Sequence, residues 1–190
     1  MLVGMKGNTT PTVRSVLAEL RRRGSARTVA GMRRFGIQGG TMYGVSVVDI
    51  RAIGKTLPCD HNRALKLWKT GVHEARILAS IVDEPAKVTP RQMDRWARDF
   101  DSWDVCDQVC MNLFDKTPYA FPKALAWTRR TEKFVKRAGF ALMASLAVHA
   151  KQAPDTAFIP FLRAVEHEAG DGRTYVRKAV NWALRQIGKR

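Results

Sequence analysis

Cysteine is scarce in this chain: three residues of 190, at positions 59, 106 and 110, an odd number without CxxC spacing. That excludes a disulfide framework and the common zinc-ligand patterns. Cys106 and Cys110 stand i, i+4 on a predicted helix without partners for a metal, and read as buried free thiols of a reducing compartment. Long apolar runs are missing too: the longest, AGFALMASLAV, is too short to cross a bilayer. The first residues, MLVGMKGNTTPTV, carry neither a sustained apolar region nor a cleavage motif, and neither a lipidation site nor a basic amphipathic terminus is found. A cytoplasmic protein without membrane contact is the expectation. Acidic residues are few, 17 Asp plus Glu against 33 Lys plus Arg, for a formal charge of +16. Such a surface seeks polyanions and is far from the balance usual for an enzyme of small neutral metabolites.

Period-two alternation is the last absence; helical periodicity dominates instead. It predicts helices over 11–23, 27–35, 46–56, 61–70, 73–82, 90–99, 102–114, 121–129, 132–150, 155–169 and 174–188, separated by Gly24, Gly39-Gly40, Pro58, Pro85, Pro118, Pro154 and Gly170-Asp171-Gly172. VKRAGFALMASL at 135–146 aligns with VRKAVNWALRQI at 176–187, an offset of 41 residues, and HEARILASIV echoes the pattern more loosely. That period lies in the HEAT and armadillo range. The expectation is an all-α fold: HEAT-like helical repeats stacked in a curved right-handed solenoid with a basic concave groove, wide enough for a duplex. Residues 1–190 are read as one domain, with 1–42 as an N-terminal cap and GIQGGTMYGV as a mobile loop over the groove.

The segment DSWDVCDQVCMNLF, 101–114, carries the chemistry. With Ser102 as helix cap, Asp104 falls in the first turn, where a carboxylate is favoured by the helix dipole. Asp107 lies i+4 from Trp103, so an acceptor and an indole share one face. Val105, Cys106, Val109 and Leu113 take the remaining faces and bury, which leaves the Trp103–Asp107 face for the groove.

SWDVCD at 102–107 resembles the WDxVD-type segment of the AlkD family of DNA alkylation repair enzymes, alkylpurine DNA glycosylases built from HEAT-like repeats. FVKRAGFAL at 134–142 resembles that family's basic pair followed by an apolar helix, and KAVNWALRQIGK at 178–189 its late KAIGWxLRE-like helix; the likeness covers roughly residues 43–190. It implies a monofunctional glycosylase that hydrolyses the N-glycosidic bond of cationic N3- and N7-alkylated purines in double-stranded DNA. By position, Asp107 is then the catalytic carboxylate, Trp103 and Trp182 flank the deoxyribose, and Arg137 holds a phosphate, with Lys136 as its neighbour in register. Arg177, Lys178 and Arg185 join them as DNA-binding residues. No metal or other cofactor is implied, and a monomer is expected.

Blander roles compete with each of these. Trp68, Trp96 and Trp127 read as core or repeat-interface residues. Asp107 competes as an ion-paired groove residue. His61, His73, His149 and His167 lack ligand spacing and are assigned to no metal or triad. Glu166, Glu168 and Asp171 read as a solvated face and turn. The family's N-terminal aromatic has no clear counterpart, since Gly31 or Met32 stands there and Tyr43 and Phe35 are only near. The functional alternatives are a non-catalytic HEAT-like DNA-binding protein for damaged or branched DNA, and a scaffold for an acidic protein.

Overall fold

A computed structural model describes residues 11–190. Eleven α-helices account for the described chain: α1 Val13–Arg23, α2 Ala26–Arg34, α3 Val47–Lys55, α4 His61–Lys69, α5 His73–Val82, α6 Pro90–Arg98, α7 Trp103–Asn112, α8 Ala120–Thr128, α9 Lys133–His149, α10 Ile159–His167 and α11 Thr174–Gly188. The order and limits follow the sequence periodicity closely. The differences lie at ends, where the chain tightens into short 3-10 turns at Pro85–Lys87, Phe114–Lys116 and Asp155–Phe158. Starts are set by side chains that satisfy the free amides of a first turn. Thr12, Ser46, Asp60 and Thr89 accept from Ser15, Asp49, Arg63 and Gln92, and Pro90 fills a first-turn position of α6.

Helices pair and the pairs stack. The inner row runs α3, α5, α7, α9, α11, each packed on the next; α4, α8 and α10 back α5, α9 and α11. α9, at the centre, is almost wholly buried from Val135 to Ala147 because it touches α6, α7, α8 and α11. Its Gly139 permits a close crossing, for a Cβ there would stand 2.9 Å from the Ala124 carbonyl oxygen of α8. Inner helices α5, α7 and α9 begin at His73, Trp103 and Lys133, steps of 30 residues, and α11 follows α9 by 41. The 41-residue offset therefore describes only the last step, lengthened by the long α9 and the 3-10 turn before α10. The core step is shorter.

Aromatic side chains knit the outer row. Trp68 of α4 stacks on Trp96 of α6 with centroids 3.9 Å apart and rings 2° from parallel. Phe100, Phe114 and Trp127 continue the contact toward α8. Truncating any one of these buried rings costs on the order of 3–5 kcal/mol, and the three tryptophans are core and repeat-interface residues. Cys106 and Cys110 are buried on α7 and Cys59 is an exposed free thiol. No described helix is long and apolar enough to cross a membrane.

The segment between α2 and α3 is tied down rather than free. The buried carboxylate of Glu74 accepts the amides of Tyr43 (3.0 Å), Gly44 (2.6 Å) and Val45 (3.3 Å). Three donors offset the desolvation of a fully buried anion. Gly44 takes φ +78°, which lets successive amides face one point. His73 also donates its amide to the Thr41 carbonyl.

Candidate functional site

One face each of α7, α9 and α11, with Ile37 and Val47 from the N-terminal side, lines a cleft of about 420 Å³. Trp103, Asp104, Asp107, Gln108 and Met111 enter it from α7, Arg137 from α9, and Lys178 and Trp182 from α11. Trp103, Asp107 and Met111 follow an i, i+4, i+8 spacing, which puts them on one stripe of α7. Trp182 stands four residues from Lys178 on α11 for the same reason. Val105, Cys106 and Val109 point away and are fully buried.

Asp107 is 8% exposed. Its Oδ1 accepts from Arg137 Nε at 2.9 Å and its Oδ2 from Arg137 Nη2 at 2.7 Å, a two-pronged pair between α7 and α9. The third prong, Nη1, donates to the Tyr175 carbonyl at 2.5 Å. Burial pushes the Asp107 carboxyl above the ordinary aspartate value, and the guanidinium opposes the push. Burial alone would lower the Arg137 pKa, but the Asp107 charge and hydrogen bonds outweigh it, so the arginine keeps its proton. The Arg137 guanidinium carbon also lies 5.8 Å from the centre of the Trp103 ring system.

Arg137 thus spends its fork inside the protein, on Asp107 and Tyr175, rather than presenting it to a phosphate as the sequence led us to expect. Lys136 points elsewhere: its ammonium pairs with Glu168 at 2.7 Å and lies 3.9 Å from Asp171, with the side chain 12% exposed. Glu168 and Asp171 are consequently not a solvated face, since Arg173 also grips Asp171 and holds its carboxyl down at about 2. Glu166 is exposed. Arg177, Lys178 and Arg185 are all exposed along α11, and Lys178 reaches the cleft.

Ser102 occupies the cap position of α7 but does not cap it with its hydroxyl, which donates to Asp104 Oδ1 at 2.7 Å. Asp104 in turn meets His73 of α5, Nε2 to Oδ2 2.8 Å. Burial disfavours both charges, yet the shared hydrogen bond and attraction prevail: His73 sits above its ordinary pKa and Asp104 below. The other ring nitrogen, Nδ1, is buried without a partner. Sequence reading missed this second ion pair. Its signal was the repeat step, for His73 and Asp104 are 31 residues apart and Asp107 and Arg137 are 30 apart. Among the described residues no cluster of His, Cys, Asp and Glu is arranged to hold a metal.

The α2–α3 segment closes the cleft at one side. Trp103 Nε1 donates to the Phe35 carbonyl at 3.1 Å and the Tyr175 hydroxyl to the Gly36 carbonyl at 3.1 Å. Ile37 turns inward to line the cleft. Tyr43 lines a separate hollow against α2 and Phe35 stays outside, 76% exposed. A larger hollow of about 640 Å³ between α8 and α10, lined by Leu125, Arg129, Arg163 and His167 among others, contains no indole. The 420 Å³ cleft brings together Asp107, the indoles of Trp103 and Trp182 and the exposed Lys178.

Comparison with known proteins agrees with this architecture. Residues 16–190 match the family described as DNA alkylation repair enzyme. A solved structure from a family described as related to the HEAT-like repeat DNA glycosylases, with affinity for branched DNA structures, superposes with a TM-score of 0.82 at 19% identity, covering 93% of this chain and 76% of that one. Among curated proteins none matches. At that identity the structural likeness carries the fold, an all-helical array of the HEAT-like glycosylase type, while the match over residues 16–190 carries the family: the chain belongs to the DNA alkylation repair enzyme family.

Proposed function

We propose that this protein is a monofunctional DNA glycosylase that hydrolyses the N-glycosidic bond of cationic N3- and N7-alkylpurines in duplex DNA. The observation that carries the reading is the meeting of Trp103, Asp107 and Trp182, from α7 and α11, in one cleft with Lys178 beside them. An alkylated purine already bears positive charge and leaves readily. The enzyme's task is therefore to stabilise an oxocarbenium-like sugar and to place water, and one carboxylate serves both ends. Arg137 fixes the rotamer of that carboxylate and opposes the rise that burial imposes on its pKa; each oxygen retains a lone pair for water or the sugar. The indole faces of Trp103 and Trp182 add attraction for a developing cation, on the order of 1 kcal/mol each. Exposed Arg177, Lys178 and Arg185 supply phosphate contacts, the role that Arg137 gives up. This hydrolysis needs no redox group and no metal, and the protein is proposed to act as a monomer.

A second reading, a DNA-binding protein without catalysis, is favoured by the burial and two-pronged pairing of Asp107. Single-turnover release of 7-methylguanine and 3-methyladenine from methylated duplex separates the two. Release by the natural chain that collapses in Asp107→Asn, with DNA binding intact, supports the glycosylase. Salt-sensitive binding without release by either protein supports the second reading.

A further inference from the structure

Phe35 is left unused by the cleft. Its side chain is 76% exposed, at the top of the range for large apolar residues here. Yet the backbone around it is pinned on every side. Its amide donates to the Met32 carbonyl at 3.0 Å, its carbonyl accepts the Trp103 indole at 3.1 Å, and Gly36, at φ +73°, donates to Arg33 and accepts the Tyr175 hydroxyl. A ring on a wandering loop is exposed by circumstance; a ring on a fastened backbone is presented.

Its setting says to what. Arg33 and Arg34, both exposed, immediately precede the ring, and two residues later Ile37 lines the cleft. Between Glu19 and Asp49 the sequence has six arginines and no acidic residue. A flat apolar face bordered by cations fits a nucleobase whose flanking phosphates need neutralising, for every base has a π-face and stacking is tolerant of sequence. We propose that Phe35 is a stacking platform for an unpaired or unstacked base of the DNA strand that runs along the cleft, with Arg33 and Arg34 on the neighbouring phosphates. The proposal rests on DNA as the partner. It does not require that Asp107 be catalytic.

The test compares a duplex containing one bulged 2-aminopurine with the fully paired duplex of the same sequence, bound by the natural chain, Phe35→Ala and Phe35→Trp, with melting curves as the check of folding. The natural chain should prefer the bulged DNA about tenfold and quench its emission on binding. Phe35→Trp should keep both effects; Phe35→Ala should bring the affinity ratio near one and lose the quenching. A preference and quenching unchanged in Phe35→Ala overturn the platform while leaving DNA binding in place. Failure of the natural chain to bind either duplex overturns the DNA reading and the platform with it. Phe35-dependent capture by phosphatidylglycerol vesicles in place of bulged DNA overturns the platform in favour of a membrane surface.

Discussion

Arg137 grips both carboxylate oxygens of Asp107 across the α7–α9 boundary, and both residues line the cleft. Removing one partner of a buried ion pair leaves the other uncompensated, which costs about 3–5 kcal/mol. Arg137→Ala should therefore lower the melting temperature by roughly 10 °C and push the Asp107 carboxyl further up. Any base release that survives should show its acidic limb at higher pH than in the natural chain. Thermal melting and a pH–rate profile check both.

Asp107→Asn keeps the shape and removes the charge. Single-turnover base release should fall about 100-fold or more, with the dissociation constant for duplex changed much less. Parallel loss of binding would show that the carboxylate serves the architecture of the cleft instead.

The His73–Asp104 pair predicts a window of stability. His73, raised in the folded protein, contributes fully below the ordinary histidine value of 6.5 and loses its contribution as pH rises through its higher folded value. Asp104, lowered, contributes above the ordinary aspartate value of 3.8 and loses its share as pH falls through the lower folded value. The pair is thus strongest between about pH 4 and 6.5. Denaturant midpoints measured from pH 4 to 9 should decline on the alkaline side in the natural chain and decline less in His73→Gln.

Gly36 has no room for a side chain. At φ +73° its Cβ would stand 2.1 Å from the Tyr175 hydroxyl. Gly36→Ala should destabilise by at least about 1 kcal/mol and free Trp103 from the Phe35 carbonyl, visible as a red-shifted indole emission. An unchanged spectrum and melting point would show that Tyr175 and the loop yield without cost.

Lys178, Arg177 and Arg185 should act through charge alone. Each substitution by alanine is expected to reduce the slope of log affinity against log salt by about 1. Lys136→Ala, whose ammonium is held by Glu168, should leave that slope nearly unchanged while lowering stability.

The eleven helices were legible because each buries one face, and a single face leaves its mark every three or four residues. Trp103, Asp107 and Trp182 were legible as a stripe and a motif. What the sequence hid was pairing between repeats. The resemblance marked Arg137 for a phosphate, but nothing in the sequence shows its partner one repeat back, and Lys136 beside it reads as the same kind of cation. Glu74 hid for another reason: its three donors are main-chain amides, which leave no trace in side-chain identity. Glu168 looked solvated because its countercharge, Lys136, comes from a helix 32 residues earlier; Asp171 is held chiefly by Arg173, two residues on.

The hydrogen bond from Tyr175 to Gly36 joins positions 139 residues apart. An open helical array has two loose ends, folds by nearest-neighbour growth and frays. Here the loop after the second helix is fastened to the start of the eleventh, so the two flanks of the array meet across the cleft. Loosening of α11 therefore also costs the loop after α2 one of its anchors.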